Sequence, residues 1–364
     1  MVNIMNINDN DTVLTFGFTA GALFDMKEAE AVFESHSEED RLSAYNEYFA
    51  QMNAEGKVFK PGPALGFYIS LIKLRNSRKV PCDVAKFRFG MSARFDTNHA
   101  GAITLMNSID HYLLDEVNDF VPDYISWTGG LEQASSHKMQ GADVVFTSSD
   151  ASAKEYHKRG VAAVHIQNIS EIQNMKMFNN RDNKINFICD FDGVIVDPTS
   201  EMVYQAAKQI KGLEPLEEFR LNEIKHRHTP MELGPLGVVV QKLSRVVAYF
   251  NKKMLANEIK ANDIPLATTI LTARGGAASM RIVKTMAHHN IQVTRADFAD
   301  GRPKHIALSM LDESHINLFL EDSLVHVDGA RNNVSHVLAG LVFNDFTSGD
   351  MSLNGAVEQL RARA

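Results

Sequence analysis

The amino-acid sequence predicts an α/β protein made of two tandem three-layer domains, the second of which carries a helical cap. Three observations support this prediction. Apolar runs of strand length alternate with helical patterns, which is typical of βαβ units and a mostly parallel sheet. Motifs of the first half recur in the second half at a nearly constant spacing. One strand pattern of the second half ends in two aspartates separated by a single residue.

Composition sets the broad class. The chain has 364 residues, of which 45% are hydrophobic and 23% are charged. This length accommodates two domains, and the composition is that of a globular protein. The net charge of −8 argues against binding to nucleic-acid polymers, because phosphate backbones require clustered Lys and Arg.

Several segment types are not expected from this sequence. Cys82 and Cys189 lie far apart, which is not a disulfide framework. The first eleven residues lack the pattern of a secretory signal. No apolar run approaches the ~18 residues that a membrane span requires. We therefore expect a cytoplasmic protein without a membrane partner.

The two halves resemble each other in four places and in the same order. The aligned segments are 13–25 with 185–197, 62–63 with 234–235, 91–94 with 271–274, and 144–149 with 318–323. Three of the offsets lie between 172 and 174 residues, and repetition of this size indicates tandem domains. The alternative is that two α/β domains share generic strand–turn–helix patterns. A polar stretch near 178–183 puts the boundary between domains 1–180 and 181–364.

The acidic residues of the second half are missing from the first. Phe18 and Ala20 stand where the second half has Asp190 and Asp192, and Thr147 and Ser148 stand where it has Glu321 and Asp322. A cation site needs oxygen ligands such as carboxylates. The sequence therefore predicts a catalytically silent first half and a catalytic second half.

The second half has a regular strand rhythm with one long interruption. Strands are predicted near 185–190, 266–271, 292–298, 315–320 and 337–343. The interval of about 198–265 is charged and helical in pattern. We predict that it forms a cap over the strand ends.

Asp190 and Asp192 lie at the exit of the strand predicted at 185–190. Ligands of open α/β sheets bind at that end of the strands. The pair suits phosphoryl transfer, in which the first carboxylate attacks phosphorus, the second handles the proton, and a hard cation such as Mg²⁺ lies between the oxygens.

Further polar residues follow at successive strand or helix ends. Thr272 closes an apolar run and could hold a phosphate together with nearby backbone N–H groups, or cap a helix. Lys304 begins a helix, where it could neutralise a phosphoryl oxygen or be solvated. Glu321 and Asp322 end a strand, where acids could bind a cation or interact with the following helix. Their order along the chain favours the functional interpretation.

This order resembles the motifs of the haloacid dehalogenase (HAD) superfamily, whose domains are Rossmann-type. The whole chain is more specifically similar to the cytosolic 5′-nucleotidases of type I. The matching segments are 22–25, 60–64, 97–100, 107–109, 128–130, 272–274, 303–304, 322–326 and 329–330. Two segments depart from the family pattern. Residues 190–194 read Asp-Phe-Asp-Gly-Val where family members read Asp-Gly-Asp-Ala-Val, and Glu321 replaces the usual aspartate.

The resemblance implies a Mg²⁺-dependent 5′-nucleotidase with an aspartyl-phosphate intermediate. Asp190 would be the nucleophile and Asp192 the general acid and base. The implied metal ligands are Asp190, the Asp192 main-chain carbonyl, Asp322 and Glu321. The implied substrate-binding residues are Thr272, Ala273, Arg274 and Lys304, although Arg274 could instead pair with a local acid.

Two other functions stay open. A HAD phosphatase acting on a sugar phosphate would use the same machinery under a different cap. A nucleotide-sensing protein would use the first half instead, and the resemblance hints at an activating nucleotide there. The sequence leaves the preferred base, the sugar and a possible homo-oligomer undecided.

Four polar residues have weaker interpretations. His226 and His228 have metal-like spacing without further ligands nearby, and we interpret them as cap surface. Asn98 and His99 match the family within the silent half. They could reach the active site, bind an effector or cap a helix.

Overall fold

The computed structural model describes residues 12–97, 99–114, 122–167, 171–179, 184–345, 347–348 and 352–361. One ten-stranded sheet crosses both halves in the order β10-β9-β8-β11-β12-β7-β6-β1-β4-β5. The strands of the first half are β1 (Val13–Thr19), β2 (Phe24–Asp25), β3 (Lys60–Pro61), β4 (Lys86–Ala93), β5 (Tyr124–Trp127), β6 (Val144–Thr147) and β7 (Ala163–Ile166). Those of the second half are β8 (Ile185–Cys189), β9 (Leu266–Thr272), β10 (Arg295–Phe298), β11 (Ile316–Glu321) and β12 (Val337–Val342). The five strands predicted for the second half are therefore confirmed, within a few residues at their ends.

Helices connect these strands. The first half contains α1 (Ala20–Leu23), α2 (Lys27–Glu34), α3 (Arg41–Ala54), α4 (Leu65–Asn76), α5 (Ala100–Ile109), a π-helical turn (Asp110–Leu114), α6 (Ala134–Met139), α7 (Asp150–Lys158) and α8 (Glu171–Asn179). The second half contains α9 (Thr199–Lys208), α10 (Pro215–Lys225), α11 (Gly237–Leu255), α12 (Ser279–His288), α13 (Lys304–Leu308), α14 (Leu324–Asn333) and α15 (Asn354–Arg361), with 3₁₀ turns at Ala261–Asp263 and Gly276–Ala278. No helix in these described ranges is long and apolar enough to cross a membrane.

The two halves have the same strand order. In each half the five main strands run third-second-first-fourth-fifth in chain order, and all neighbours within a half are parallel. The halves join through β12 and β7, which are antiparallel. The carboxyl ends of the two sets of strands therefore lie at opposite edges of the shared sheet.

A turn after the first strand also recurs in each half. Phe24 pairs with Pro61 in an antiparallel bridge, and Val196 pairs with Leu233 in the same way. Each residue and its counterpart are 172 positions apart. The following glycine, Gly62 or Gly234, donates its N–H to a carbonyl before the bridge at 2.8 or 2.9 Å. A Cβ at Gly62 would lie 2.6 Å from the backbone nitrogen of Phe24, so this close approach requires glycine.

Both turns enclose a pair of helices, α2 and α3 in the first half and α9 and α10 in the second. The next helix, α11, buries Val239, Leu243 and Val246 and packs against β9. The 198–265 interval is thus only partly separate from the sheet. Helices α9 and α10 are the cap-like part, whereas α11 is the crossover that returns the chain to β9. The sequence pattern did not separate these roles because both segments are charged and helical.

The hydrophobic core is continuous between the halves. The Phe187 ring of β8 lies 6.1 Å from Phe16 of β1 and 5.6 Å from Phe67 of α4, measured between centroids. Lys242 of α11 donates to the Val13 carbonyl at 2.7 Å and pairs with Asp143 at 2.6 Å. These contacts hold the two halves as one packed unit.

Candidate active site

Polar side chains of the second half converge at the carboxyl ends of its strands. Asp190 follows β8, Thr272 ends β9, Lys304 begins α13 and Glu321 ends β11. All four are buried. Parallel strand order brings these ends to one edge, where open α/β sheets bind ligands.

Lys304 lies between two carboxylates. Its Nζ is 2.8 Å from Asp190 Oδ2 and 2.5 Å from Glu321 Oε2, and its side chain is 1% exposed. Burial lowers the pKa of Lys304, but Asp190 and Glu321 outweigh that effect and raise it above its ordinary value. The lysine is therefore a fixed positive charge against Asp190, not the solvated helix start considered from the sequence.

Three carboxylates lie close together at this site. One oxygen from each side chain lies within 4.8 Å of the other two, and the residues are Asp190, Glu321 and Asp322. Burial and then the Glu321 charge raise the pKa of Asp190 to about 7, and Lys304 opposes this shift. Burial, Glu321 and Asp190 likewise raise the pKa of Asp322 well above its usual range. Within the described residues, this is the group of side chains that could hold a metal ion. A bound cation would relieve the repulsion among these acids.

Asn344 orients Asp322. Its Nδ2 donates to Asp322 Oδ2 at 2.9 Å and to the Gly193 carbonyl at 3.0 Å. Gly193 has φ +67°, and a Cβ there would collide with the Asp322 carboxylate. Asn344 was not among the residues predicted from the sequence. The signal was available, since this polar residue follows the last predicted strand in the same way as the other site residues follow theirs.

Arg274 binds Asp192 through a two-point contact. Its Nε donates to Asp192 Oδ2 at 2.7 Å and its Nη2 to Asp192 Oδ1 at 2.5 Å. Its Nη1 donates to Glu223 of helix α10. Burial lowers the pKa of Arg274, but Asp192 and Glu223 raise it above the ordinary arginine value. The sequence left two roles open for Arg274, and in the structure its side chain pairs with two acids.

Glu223 is fully buried and is itself held by other residues. Its Oε1 accepts from Ser200 at 2.7 Å and from Arg281 at 2.8 Å. Glu223 was not predicted from the sequence, because it lies 51 residues from Arg274 in a helix whose other charged residues are at least partly exposed. No periodicity in the sequence reports a contact over that separation.

Thr272 and Ala273 form the turn beneath this arginine. Thr272 Oγ1 accepts the backbone N–H of Arg274 at 3.3 Å, and the Ala273 carbonyl accepts from Gly301. The next helix begins with Ala278 as its N-cap residue. Thr272 therefore does not cap that helix, although capping was the simpler interpretation of its position in the sequence.

Two of the remaining polar candidates bind nearby backbone groups. His99 Nδ1 accepts from Gly101 N–H and caps α5, as the simplest of its three interpretations predicted. It lies in the first half, whose strand ends face the opposite edge of the sheet. Asn98 lies outside the described residues. His226 binds the Asn222 carbonyl at 2.9 Å at the end of α10, and His228 is exposed beyond it.

The acids of the second half have uncharged counterparts in the first half. Phe18, which corresponds to Asp190, lies 4.8 Å from Tyr68 and 5.1 Å from Phe146 between ring centroids. Thr147, which corresponds to Glu321, accepts a hydrogen bond from Thr19 at 3.3 Å. Ring packing and a neutral hydrogen bond thus occupy positions where the second half has acids.

The sequence matches one known family over most of its length. The model of the 5′-nucleotidase family matches residues 5–343, which covers most of both halves and every acidic residue described above. No solved structure matches the chain. This chain belongs to the 5′-nucleotidase family, and it is a phosphoric monoester hydrolase.

Proposed function

We propose that the protein is a Mg²⁺-dependent 5′-nucleotidase that forms an aspartyl-phosphate on Asp190. Membership of the family supports hydrolysis of nucleoside monophosphates. The observation that carries the finer proposal is the contact of buried Asp190 with Lys304 at 2.8 Å, beside the acids Glu321 and Asp322. A nucleophilic carboxylate needs such a neighbouring cation, because the incoming phosphate is itself negative.

The proposed reaction has two steps. An Asp190 oxygen bonds to phosphorus while the bond from phosphorus to the ribose O5′ breaks, and Asp192 gives its proton to O5′. Water then bonds to phosphorus as the Asp190–phosphorus bond breaks, and Asp192 takes the proton of that water. Lys304 and the amides that follow Thr272 would bind phosphoryl oxygens as their charge shifts.

The acidic group suits a hard divalent cation. Carboxylate oxygens are the ligands that Mg²⁺ prefers, and three of them cluster where burial and mutual repulsion raise the pKa values of Asp190 and Asp322. Asp190, Asp322 and the main-chain carbonyl of Asp192 would hold the ion. Glu321 would contribute mainly through Lys304, to which it is paired. When bound, Mg²⁺ would neutralise charge on the phosphoryl group.

We assign the two halves different roles. Residues 181–364 would form the HAD-like catalytic domain, with α9 and α10 over the leaving nucleoside. Residues 1–180 would form a HAD-like half without catalytic activity, since Phe18 and Ala20 offer neither nucleophile nor ligand. A role for that half in binding an activating nucleotide, or in forming a homo-oligomer, is a separate hypothesis that this proposal does not require.

The test is phosphate release from a panel of nucleoside 5′-monophosphates and sugar phosphates, with Mg²⁺ and with a chelator. We expect Mg²⁺-dependent release that favours a nucleotide. Phosphate release from sugar phosphates alone would be consistent with the mechanism but would contradict the nucleotide substrate.

Trapping the intermediate with acid quench and ³²P-labelled substrate would test the covalent step, and a lack of label on the protein would contradict it.

A further inference from the structure

Helix α10 of the cap reaches the proposed acid–base residue through one arginine. Glu223 and Phe219 lie four residues apart on α10, so they occupy the same face of the helix. Glu223 binds Arg274 Nη1, and the Phe219 ring centre lies 5.2 Å from the guanidinium carbon of Arg274. Arg274 in turn binds both oxygens of Asp192.

Two aromatic rings lie close to the Arg274 guanidinium group. Phe191, the residue between the two aspartates, lies with its ring centre 5.2 Å from the same carbon. Phe191 and Phe219 thus hold Arg274 while three of its nitrogens donate to two acids. Aromatic residues are favourable neighbours for an arginine side chain. This contact also gives a structural role to Phe191, where the family pattern has glycine.

Glu223 is anchored independently of Arg274. Its second oxygen accepts from Ser200 and Arg281, and Arg281 also donates to the Thr229 carbonyl at 3.1 Å. A fully buried carboxylate with such partners has little freedom to move. The position of Glu223 therefore determines where Arg274 lies, and Arg274 determines where the Asp192 carboxylate lies.

We propose that Glu223 is a positioning residue, which acts through Arg274 to aim Asp192 at the leaving oxygen of the substrate. This inference rests on the proposed function, because it assigns proton donation to Asp192. It makes α10 part of the acid–base machinery as well as a cover over the site. It also assigns Arg274 to Asp192 and not to the substrate phosphate.

The test compares two leaving groups on one nucleoside. The first substrate is the nucleoside 5′-monophosphate that the wild type hydrolyses fastest. The second is its 5′-S-phosphorothiolate, in which sulfur replaces the bridging oxygen. A thiolate leaves without a proton from the enzyme, whereas an alkoxide needs one. Values of kcat/KM report each reaction through departure of the leaving group, with base, ribose and phosphate unchanged.

For Glu223→Gln we expect kcat/KM to fall about 100-fold for the monophosphate, within the range of general acid catalysis. For the phosphorothiolate we expect a fall of less than about 3-fold, because no proton transfer is needed. The ratio of the two values is independent of how much enzyme is folded, since both come from the same preparation. Glu217→Gln, an exposed residue of the same helix paired with Arg220, should leave the ratio unchanged.

Equal losses for both substrates would overturn the proposal, because they would indicate that Arg274 binds the phosphate or that Glu223 is only structural. If Glu223→Gln yields no folded protein, Phe219→Leu removes the ring beside Arg274 from a partly exposed position. Phe219→Leu should also lower kcat/KM selectively for the monophosphate, by about 10-fold at most. An unchanged ratio of the two kcat/KM values would contradict the positioning role. A wild type that hydrolyses neither substrate would instead contradict the proposed function.

Discussion

The two halves of this protein have the same strand order but opposite chemistry at the ends of their strands. In the second half, Asp190, Lys304 and Glu321 form a chain of buried charges. In the first half, Phe18 packs among aromatic rings and Thr147 binds Thr19. Burying a charge costs free energy unless the charge is paired. Packed aromatic rings and neutral hydrogen bonds do not have this cost. The comparison indicates that the second half retains an energetically expensive arrangement that the fold itself does not need.

The largest expected effect comes from removing the nucleophile. Asp190→Asn should lower kcat by about 10⁴-fold or more, as removal of a nucleophile does in other enzymes. The fold should persist, because asparagine has nearly the same shape. The measurement is steady-state nucleotide hydrolysis together with a circular dichroism spectrum. Phe18→Leu at the matching position of the first half should retain near wild-type kcat. Wild-type turnover by Asp190→Asn would contradict the assignment of the nucleophile, and with it the contrast between a catalytic and a non-catalytic half.

The sequence was sufficient to predict the strands of the second half and most residues of the candidate site. Strand ends such as Asp190 and Glu321 are local signals, since an apolar run stops at an acid. The antiparallel junction of β7 and β12 was not predictable, because nothing in either strand specifies its edge partner. Glu223 depends on a contact with a residue distant in sequence, whereas Asn344 could have been found from its position after the last predicted strand. The separation of α11 from the cap depends on which face packs on β9, and the helical pattern alone does not identify that partner.

A second effect concerns Glu201 on cap helix α9. Burial, and then the Asp192 and Asp190 charges, raise the pKa of Glu201 to about 7, with Gln205 opposing the shift. In the unfolded chain its pKa is near 4.5. The folded state therefore keeps a proton that the unfolded state loses between these values. Stability from this group is complete below pH 4.5 and is lost as pH rises through about 7.

The loss should be on the order of 3 kcal/mol. The measurement is urea unfolding of the wild type and Glu201→Gln in chelator from pH 4 to 8, taken as a difference so that other groups cancel. The variant should gain stability relative to the wild type as pH rises. A constant difference across this range would mean that Glu201 is not buried beside the catalytic charges.

A third effect is metal binding, which we expect in the second half and not in the first. Mg²⁺ at about 100 times its Kd should stabilise the folded protein by about 2.7 kcal/mol, because the unfolded chain lacks the site. Asp322→Ala should abolish this shift in thermal unfolding. Ser148→Ala, the matching change in the first half, should keep it. A shift that survives Asp322→Ala would place the ion elsewhere.

The smallest expected effect tests whether the first half influences the reaction at all. Thr147 Oγ1 accepts from Thr19 at 3.3 Å and from the Ser149 N–H at 3.2 Å, and both threonines are buried. Thr147→Val keeps the shape but removes these hydrogen bonds. It should lower the free energy of unfolding by about 1–2 kcal/mol. Because Thr147 lies at the opposite edge of the sheet from Asp190, kcat per folded molecule should not change.

The matched variant is Glu321→Gln, at the corresponding position of the second half. Its loss of charge leaves Lys304 with a single carboxylate partner, so kcat should fall while the nucleotide KM changes less. Denaturant titration and steady-state kinetics on both variants separate stability from turnover. If Thr147→Val lowers kcat without loss of folded protein, the two strand-end regions are coupled through the shared core. The first half would then have a part in the reaction despite having lost its acids.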